Sequence, residues 1–281
     1  MRLSFSQVDV FGSGPLVGLN GNPVAVVHGA DALTGEQMQQ LAQWTNLSET
    51  TFLLASTSTE ADYRLRIFTP ARELLFAGHP TLGSAHAWLE AGGRPRGEDL
   101  VQECGAGLVT IRRGDVLQFA APPLIKDGPV SDDDLARIRA ALGGVEVVDS
   151  KWVDNGPGWV GVRLEDARAV LALQVDRQRF GDLKIGAVGP WRDGDAGASD
   201  ADVEVRAFVP GDGIGEDPVT GSLNASLGQW LAGTVLPASY VAAQGTAIGR
   251  RGRVHVSRVG EEVWVGGETR TTVRGEVLVA G

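Results

Sequence analysis

Three side chains have the type and setting for proton chemistry: Glu49, His79 and Asp217. Glu49 lies in Asn46-Leu-Ser-Glu-Thr-Thr-Phe52, between a helical pattern and an apolar run. A carboxyl set among apolar residues loses hydration, which raises its pKa toward neutrality and suits it to act as base and then as acid. By itself Glu49 also reads as a surface turn residue. His79 and Asp217 each precede a proline, in Gly78-His79-Pro80 and Glu216-Asp217-Pro218, and small residues follow both. Proline suits a helix first turn, so both segments read as helix starts with His79 and Asp217 at the cap positions. Paired helix N-termini offer free N–H groups and partial positive charge. A carboxylate held there gives up a proton from the adjacent carbon more readily, because fixed dipoles stabilise the developing enolate. Each residue alone also reads as a plain helix cap; their recurrence at one repeat position favours the functional reading.

That recurrence belongs to an internal repeat. Arg66, Phe68 and Pro70 recur as Arg206, Phe208 and Pro210; Pro80, Gly83, Ser84 and Ala87 recur as Pro218, Gly221, Ser222 and Ala225. Downstream, Gly107-Leu-Val-Thr-Ile-Arg-Arg-Gly and Gly252-Arg-Val-His-Val-Ser-Arg-Val-Gly each read as the start of a β-hairpin. The order strand, small-residue helix, hairpin therefore occurs twice, and an α+β chain of two similar halves follows. The halves are residues 1–122, holding Glu49 and the Gly-His-Pro helix, and residues 123–281, holding the Glu-Asp-Pro helix. Pro122-Pro123 ends the first half.

Other elements frame these. Thr34 with Gln37 forms a capping-box pattern, Leu33 with Met38 a hydrophobic staple, and Met38, Leu41, Ala42 and Thr45 share one helix face. Ser131 reads as an N-cap with Asp132, Asp133 and Asp134 in the first turn, a helix start rather than a metal site. Residues 5–11, 23–27 and 62–68 read as strands. His86 and His255 fall in helix and strand patterns as structural residues, and His28 is a strand-end residue with no identifiable partner. Residues 192–200 read as a polar loop.

Composition limits the rest. The 281 residues suggest two domains at roughly 150 residues each. A net charge of −10 repels phosphate backbones, so nucleic acid is not an expected partner. The single Cys104 can form neither an internal disulfide nor a thiolate metal cluster, which fits a reducing cytoplasm. The first residues carry no apolar leader, and no run of about 18 apolar residues suggests a membrane span. No phosphate loop, dinucleotide fingerprint, zinc motif or nucleophile elbow occurs, so the reading assigns no cofactor and no metal, and the chemistry rests on side chains.

Several motifs together resemble the phenazine-biosynthesis PhzF-like family, within the diaminopimelate epimerase-like fold: VDVF at 8–11, GNPVAVV at 21–27, NLSETTF at 46–52, RIFTPARELLFAGHPTLGSAH at 66–86 and GEDPVTGS at 215–222. QG at 244–245 and GR at 249–250 extend the likeness to nearly the whole chain. The resemblance implies two pseudo-symmetric halves, each a β-barrel-like sheet wrapped around a central helix, with the last strand, near Val273–Val279, returning to the first half. It implies a homodimer and an isomerase of the trans-2,3-dihydro-3-hydroxyanthranilate type, with no metal or organic cofactor. Glu49 falls on the position that moves the proton, while His79 and Asp217 fall on positions that hold and shape the substrate. The backbone amides of Gly78, His79, Gly221 and Ser222 are then expected to bind a small substrate's carboxylate. Related epimerases and racemases use two thiols at the paired helix starts; here those places carry His79 and Asp217. An amino-acid epimerase or racemase, and a non-catalytic protein that binds a small ligand, remain as alternatives. The stretch from Gly12 to Asn20 is longer than the linker the family pattern leads one to expect, which leaves substrate preference open.

Overall fold

The computed structural model describes residues 1–14, 19–192, 194–195, 200–210 and 214–279. Parts of the 12–20 loop and of the polar stretch 192–200 lie outside them. The chain forms two compact units: Met1–Ala120 together with Gly266–Gly281, and Ala121–Val265. The division thus falls two residues before the 122/123 join, and the end of the chain belongs to the first unit.

The first unit contains β1 (Arg2–Val10), β2 (Asn22–Val27), α1 (Gly35–Thr45), β3 (Glu49–Leu54), β4 (Tyr63–Phe68), β5 (Glu73–Leu74), α2 (Gly78–Glu90), β6 (Leu100–Cys104), β7 (Gly107–Arg113) and β8 (Leu117–Ala120). The second contains β9 (Lys126–Pro129), α3 (Asp132–Ala141), β10 (Asp149–Asp154), β11 (Trp159–Arg163), α4 (Ala167–Leu171), β12 (Lys184–Pro190), β13 (Val203–Val209), β14 (Ile214–Asp217), α5 (Gly221–Leu231), β15 (Ser239–Gln244), β16 (Gly252–Val259) and most of β17 (Glu262–Gly267), whose last two residues belong to the first. The last strand, β18 (Thr269–Leu278), pairs antiparallel with β1.

Strand pairing follows the connections. β1 and β2 pair antiparallel, and β2 and β3 pair parallel because α1 carries the chain across between them. β4 pairs antiparallel with β3 and β5, then parallel with β6 after the α2 crossover, and β6 pairs antiparallel with β7. In the second unit, β10 to β16 repeat this succession of senses, with α4 and α5 as the crossovers.

Two kinds of helix result. α1 covers one sheet face with an amphipathic stripe: Leu33, Met38 and Ala42 join Val27, Phe52 and Phe68 in one core. Thr34 and Gln37 make the reciprocal capping box, and Leu33 and Met38 lie buried in the same cluster, as a staple requires. α3 and α4 bring Ile138, Leu142 and Val170 onto Val160, Ile185 and Phe208 in the same way, and Ser131 caps α3. By contrast, α2 is buried from Gly78 to Ala85, and α5 from Gly221 to Gly228. α2 packs against β1, β2, β3, β4, β8 and β18. Such helices need small residues. A Cβ at Gly83 would lie 2.4 Å from Val24 Cγ1, and one at Gly228 would lie 2.7 Å from Val256 Cγ1. No helix among the described residues is long and apolar enough to cross a membrane.

Gly83→Ala sets helix propensity, a gain of up to about 1 kcal/mol, against overpacking, a cost of about 1–3 kcal/mol. At 2.4 Å from a β-branched side chain the clash dominates. Urea denaturation is expected to show the variant destabilised by at least ~1 kcal/mol; a stabilised variant would mean that the sheet yields around α2.

Candidate active site

In the first unit, the site begins at Asp9 on β1. Its two carboxylate oxygens accept from the Gly21 N–H at 3.1 and 3.0 Å, tying the end of β1 to the start of β2. The fit is close: a Cβ at Gly12 would lie 2.1 Å from Asp9 Oδ2, and one at Gly21 would lie 2.1 Å from the Val10 carbonyl oxygen. This fixes Asn22-Pro23, and the Pro23 carbonyl accepts a hydrogen bond from the His79 ring. β2 pairs parallel with β3 so that Val24 lies beside Glu49, the first residue of β3. Thr51 anchors β3 to α2, with its hydroxyl 2.8 Å from Ser84 Oγ. Glu49 Oε2 thereby stands 3.3 Å from His79 Nδ1, with the side chains 15% and 4% exposed.

Burial lowers the His79 pKa from 6.5 to about 3, and the Pro23 carbonyl opposes this only in part. The imidazole is therefore neutral at physiological pH. Glu49 faces an uncharged imidazole rather than a fixed cation, an arrangement that does not hold the carboxyl in its ionised form.

His79 is not the cap of its helix. α2 starts at Gly78 with Ala77 as N-cap, so His79 is the second helical residue and Pro80 the third. Pro80 removes an N–H that no turn of helix would have satisfied. The first intrahelical bond runs from Thr81 N to the Ala77 carbonyl, leaving the Gly78 and His79 amides ahead of it.

In the second unit, Asp217 is not a helix cap either. It ends β14, paired with Ala207, while α5 starts at Gly221 with Thr220 as N-cap. The strand continues through Asp217, so Pro218 serves the turn rather than the helix. Asp217 Oδ2 accepts from the Thr220 hydroxyl at 2.6 Å. Buried Gln244 organises the whole start of the helix: its Oε1 accepts from Thr220 N at 3.0 Å and Asn224 Nδ2 at 2.9 Å, and its Nε2 donates to Thr220 Oγ1 at 2.9 Å and the Asp217 carbonyl at 3.2 Å. Ser222, the second residue of α5, accepts from Trp159 Nε1 on its hydroxyl and from Asn155 Nδ2 on its carbonyl, both at 3.0 Å. Gly221 and Ser222 thus occupy in α5 the places that Gly78 and His79 occupy in α2.

The repeated Arg-x-Phe residues act as brackets. Arg66 binds Glu73 through Nε and Nη2, both at 2.7 Å, with its guanidinium 5.0 Å from the Phe68 ring centre. Arg206 binds Glu216 at 3.0 and 2.8 Å and lies 4.9 Å from the Phe208 ring centre. Each bracket secures the short strand, β5 or β14, that leads to α2 or α5.

Of the other histidines, His28 does have a partner, Ser6 Oγ at 3.2 Å, and His86 is tied to Thr269 at 3.0 Å. A cavity of about 420 Å³ in the first unit is lined by Asp9, His86, Asp115 and Arg270, among others, but by neither Glu49 nor His79. Asp9, Asn155, Trp159 and Gln244 carry no local pattern that marks them as site residues. The VDVF and QG motifs contained two of them, and the polar type of Asp9 between two apolar strand residues was the available signal.

The chain is similar to known proteins of one family. The family profile described as "Phenazine biosynthesis-like protein" (PhzC-PhzF) matches residues 8–280. Trans-2,3-dihydro-3-hydroxyanthranilate isomerase of Pseudomonas aeruginosa is 37% identical over 242 residues, covering 80% of this chain and 78% of that one. Antisense-enhancing sequence 1 of Schizosaccharomyces pombe is 35% identical over 300 residues, covering 98% and 99%. The crystal structure of a PhzF-family protein from Enterococcus faecalis superposes with a TM-score of 0.81 at 24% identity, over 99% of this chain and 100% of that one, a likeness of fold.

Two measurements follow. Histidine ring NMR between pH 5 and 8 is expected to show His79 as a neutral imidazole throughout; a midpoint above 5 would contradict its buried setting. The sign is destabilising toward acid: with a folded pKa of about 3 against 6.5, the group subtracts stability as pH falls from 6.5 toward 3. Gln244→Leu strands the buried Thr220 N–H, and urea denaturation is expected to show a loss of about 2–3 kcal/mol; an unchanged midpoint would remove Gln244 from its organising role.

Proposed function

Because the chain belongs to the PhzC-PhzF family of phenazine biosynthesis-like proteins, we propose that it is an isomerase, needing no cofactor, that moves a proton on a small carboxylate-bearing substrate, with Glu49 as the acid/base group. The observation that carries this reading is the Glu49–His79 pair: a carboxylate 3.3 Å from a buried imidazole that burial keeps neutral. The similarity to the Pseudomonas isomerase supports the reaction type.

The step balances without oxidation or reduction. The Glu49 carboxylate removes a proton from one carbon, and the electron pair of that C–H bond delocalises toward an unsaturated or carbonyl-bearing system. The carboxylic acid so formed on Glu49 returns the proton to a different carbon. One proton carrier suffices, so the step calls for no second base. Carboxylate binding is assigned to first-turn amides within each unit, Gly78 and His79 in the first and Gly221 and Ser222 in the second, where helix N-termini stabilise negative charge. His79 shares the proton with Glu49, and Asp217, oriented by Thr220, shapes the substrate's polar groups. The same reading takes the units as duplicated halves, each a barrel-like sheet around α2 or α5, in a cytoplasmic homodimer. It follows the repeated pairing senses, the buried helices and the single Cys104.

The test is an assay of the chain in deuterated water with trans-2,3-dihydro-3-hydroxyanthranilate and a panel of small cyclic and amino-acid-like carboxylates. Glu49→Gln is expected to lose at least ~100-fold in turnover and in deuterium incorporation, the lower end for a positioned acid/base. Turnover near that of the parent protein in Glu49→Gln would sink the assignment. Chiral chromatography separates a proton shift from inversion at one carbon; an inverted product would point instead to a second base, His79 or Asp217.

A further inference from the structure

Glu204, the second residue of β13, is fully buried. Glutamate is seldom buried unless paired. Neither of its carboxylate oxygens completes a hydrogen bond among the described residues; the Thr246 hydroxyl is directed at it without full geometry. The cations around it are committed elsewhere. Arg206, two residues along the same strand, is bound to Glu216 of β14. Arg253 of β16 is bound to Asp200, which also holds Arg251. On the β12 side, Glu204 pairs with Gly189, over which the Asp166 backbone lies, while the Asp166 carboxylate turns to Ala169 N and Arg192. On the β15 side its partner is Ala243, adjacent to Gln244. Desolvation, helped by Glu216, outweighs the pull of the Thr246 hydroxyl, Arg253 and Arg206, and the carboxyl is pushed up from 4.5 to about 7.

Thr246 opens the short turn Thr246–Ile248, which follows Gly245. Gly245 has φ 88°, and a Cβ there would lie 2.6 Å from the Pro218 carbonyl oxygen and 2.7 Å from Arg250 Cβ. On its other side, Gln244 grips Thr220, Asn224 and the Asp217 carbonyl. The turn against Glu204 and the start of α5 are thus joined through two consecutive residues, with no slack between them.

We propose that Glu204 is a proton-operated latch on the N-terminus of α5: protonated, it keeps the Thr246–Ile248 turn seated; ionised, it draws water beneath that turn and loosens the grip of Gln244 on Asp217 and Thr220. The latch requires no substrate and stands whether or not Glu49 is the proton carrier.

Hydrogen exchange of the full chain, corrected for intrinsic rates, tests it from pH 5 to 8. The closed state binds the proton up to about pH 7, while an opened, hydrated carboxyl loses it near 4.5. Opening of residues 217–224 and 244–250 is therefore expected to increase about tenfold per pH unit between pH 5 and 7, then level off. Glu204→Gln is expected to abolish the slope and hold exchange at the low-pH level. The same slope in Glu204→Gln, or none in the unmodified chain, overturns the latch. Carboxyl carbon NMR of the unmodified chain is independent of whether that variant folds. A Glu204 midpoint near 7, matched by the Gly245, Thr246 and Gly221 amides, supports the proposal; a midpoint below 5 overturns it.

Discussion

A helix buried on every side still has to satisfy the N–H groups of its first turn, and this constraint governs the rest of the molecule. α2 and α5 are buried along their first eight residues, which takes them away from bulk water. In α5 the answer is Gln244, which holds the cap residue Thr220 by both main chain and side chain. In α2, proline removes one of the groups. What remains, Gly78-His79 and Gly221-Ser222, are first-turn amides that precede the first helical bond and have a helix dipole behind them. Small residues permit the burial, and first-turn amides with a helix dipole behind them are what an anionic ligand can use.

The Arg–Glu brackets are the second tier. Arg66–Glu73 and Arg206–Glu216 share the same geometry over a phenylalanine two residues along, yet the first is partly exposed and the second buried. Screening makes the exposed pair weak as a source of stability. The buried pair holds four of its donors against acceptors, including the Val170 and Leu173 carbonyls, so losing either partner would leave a charge stranded. The sequence repeat at these positions is therefore architectural: it sets where the strands ahead of α2 and α5 end.

Legibility from sequence followed the range of the interactions. The α1 capping box and the Ser131 cap of α3 were readable because donor and acceptor lie three residues apart. The strands β1, β2 and β4 were readable from their apolar spacing. Of the site residues, Glu49 and His79 lie in contact, but neither His79 nor Asp217 caps its helix. The pattern small-residue run after proline is common to both segments, yet β14 keeps its pairing with β13 through Asp217, which postpones α5 to Gly221. Gln244 acts across 24 residues and Asp9 across 12. Partners at such separations are chosen by sheet register, which no local pattern displays. Glu204 was hidden for a related reason: its burial comes from strands paired on both sides, while its own neighbours read as an ordinary alternating strand.

The pairing of β18 with β1 has a consequence for how the protein is made. The second unit is continuous in the chain, from Ala121 to Val265, whereas the first is interrupted by it. As the polypeptide emerges at about 5–20 residues per second, β1 gains β2 early but has an open edge until Thr269–Leu278 arrive. The later-synthesised unit can therefore close before the earlier one. For that interval the nascent chain presents an unpaired strand edge, the feature most prone to pairing with a neighbour. The polar, charged sequence of β18 itself, exposed along much of its length, is suited to sealing that edge without creating a new adhesive one.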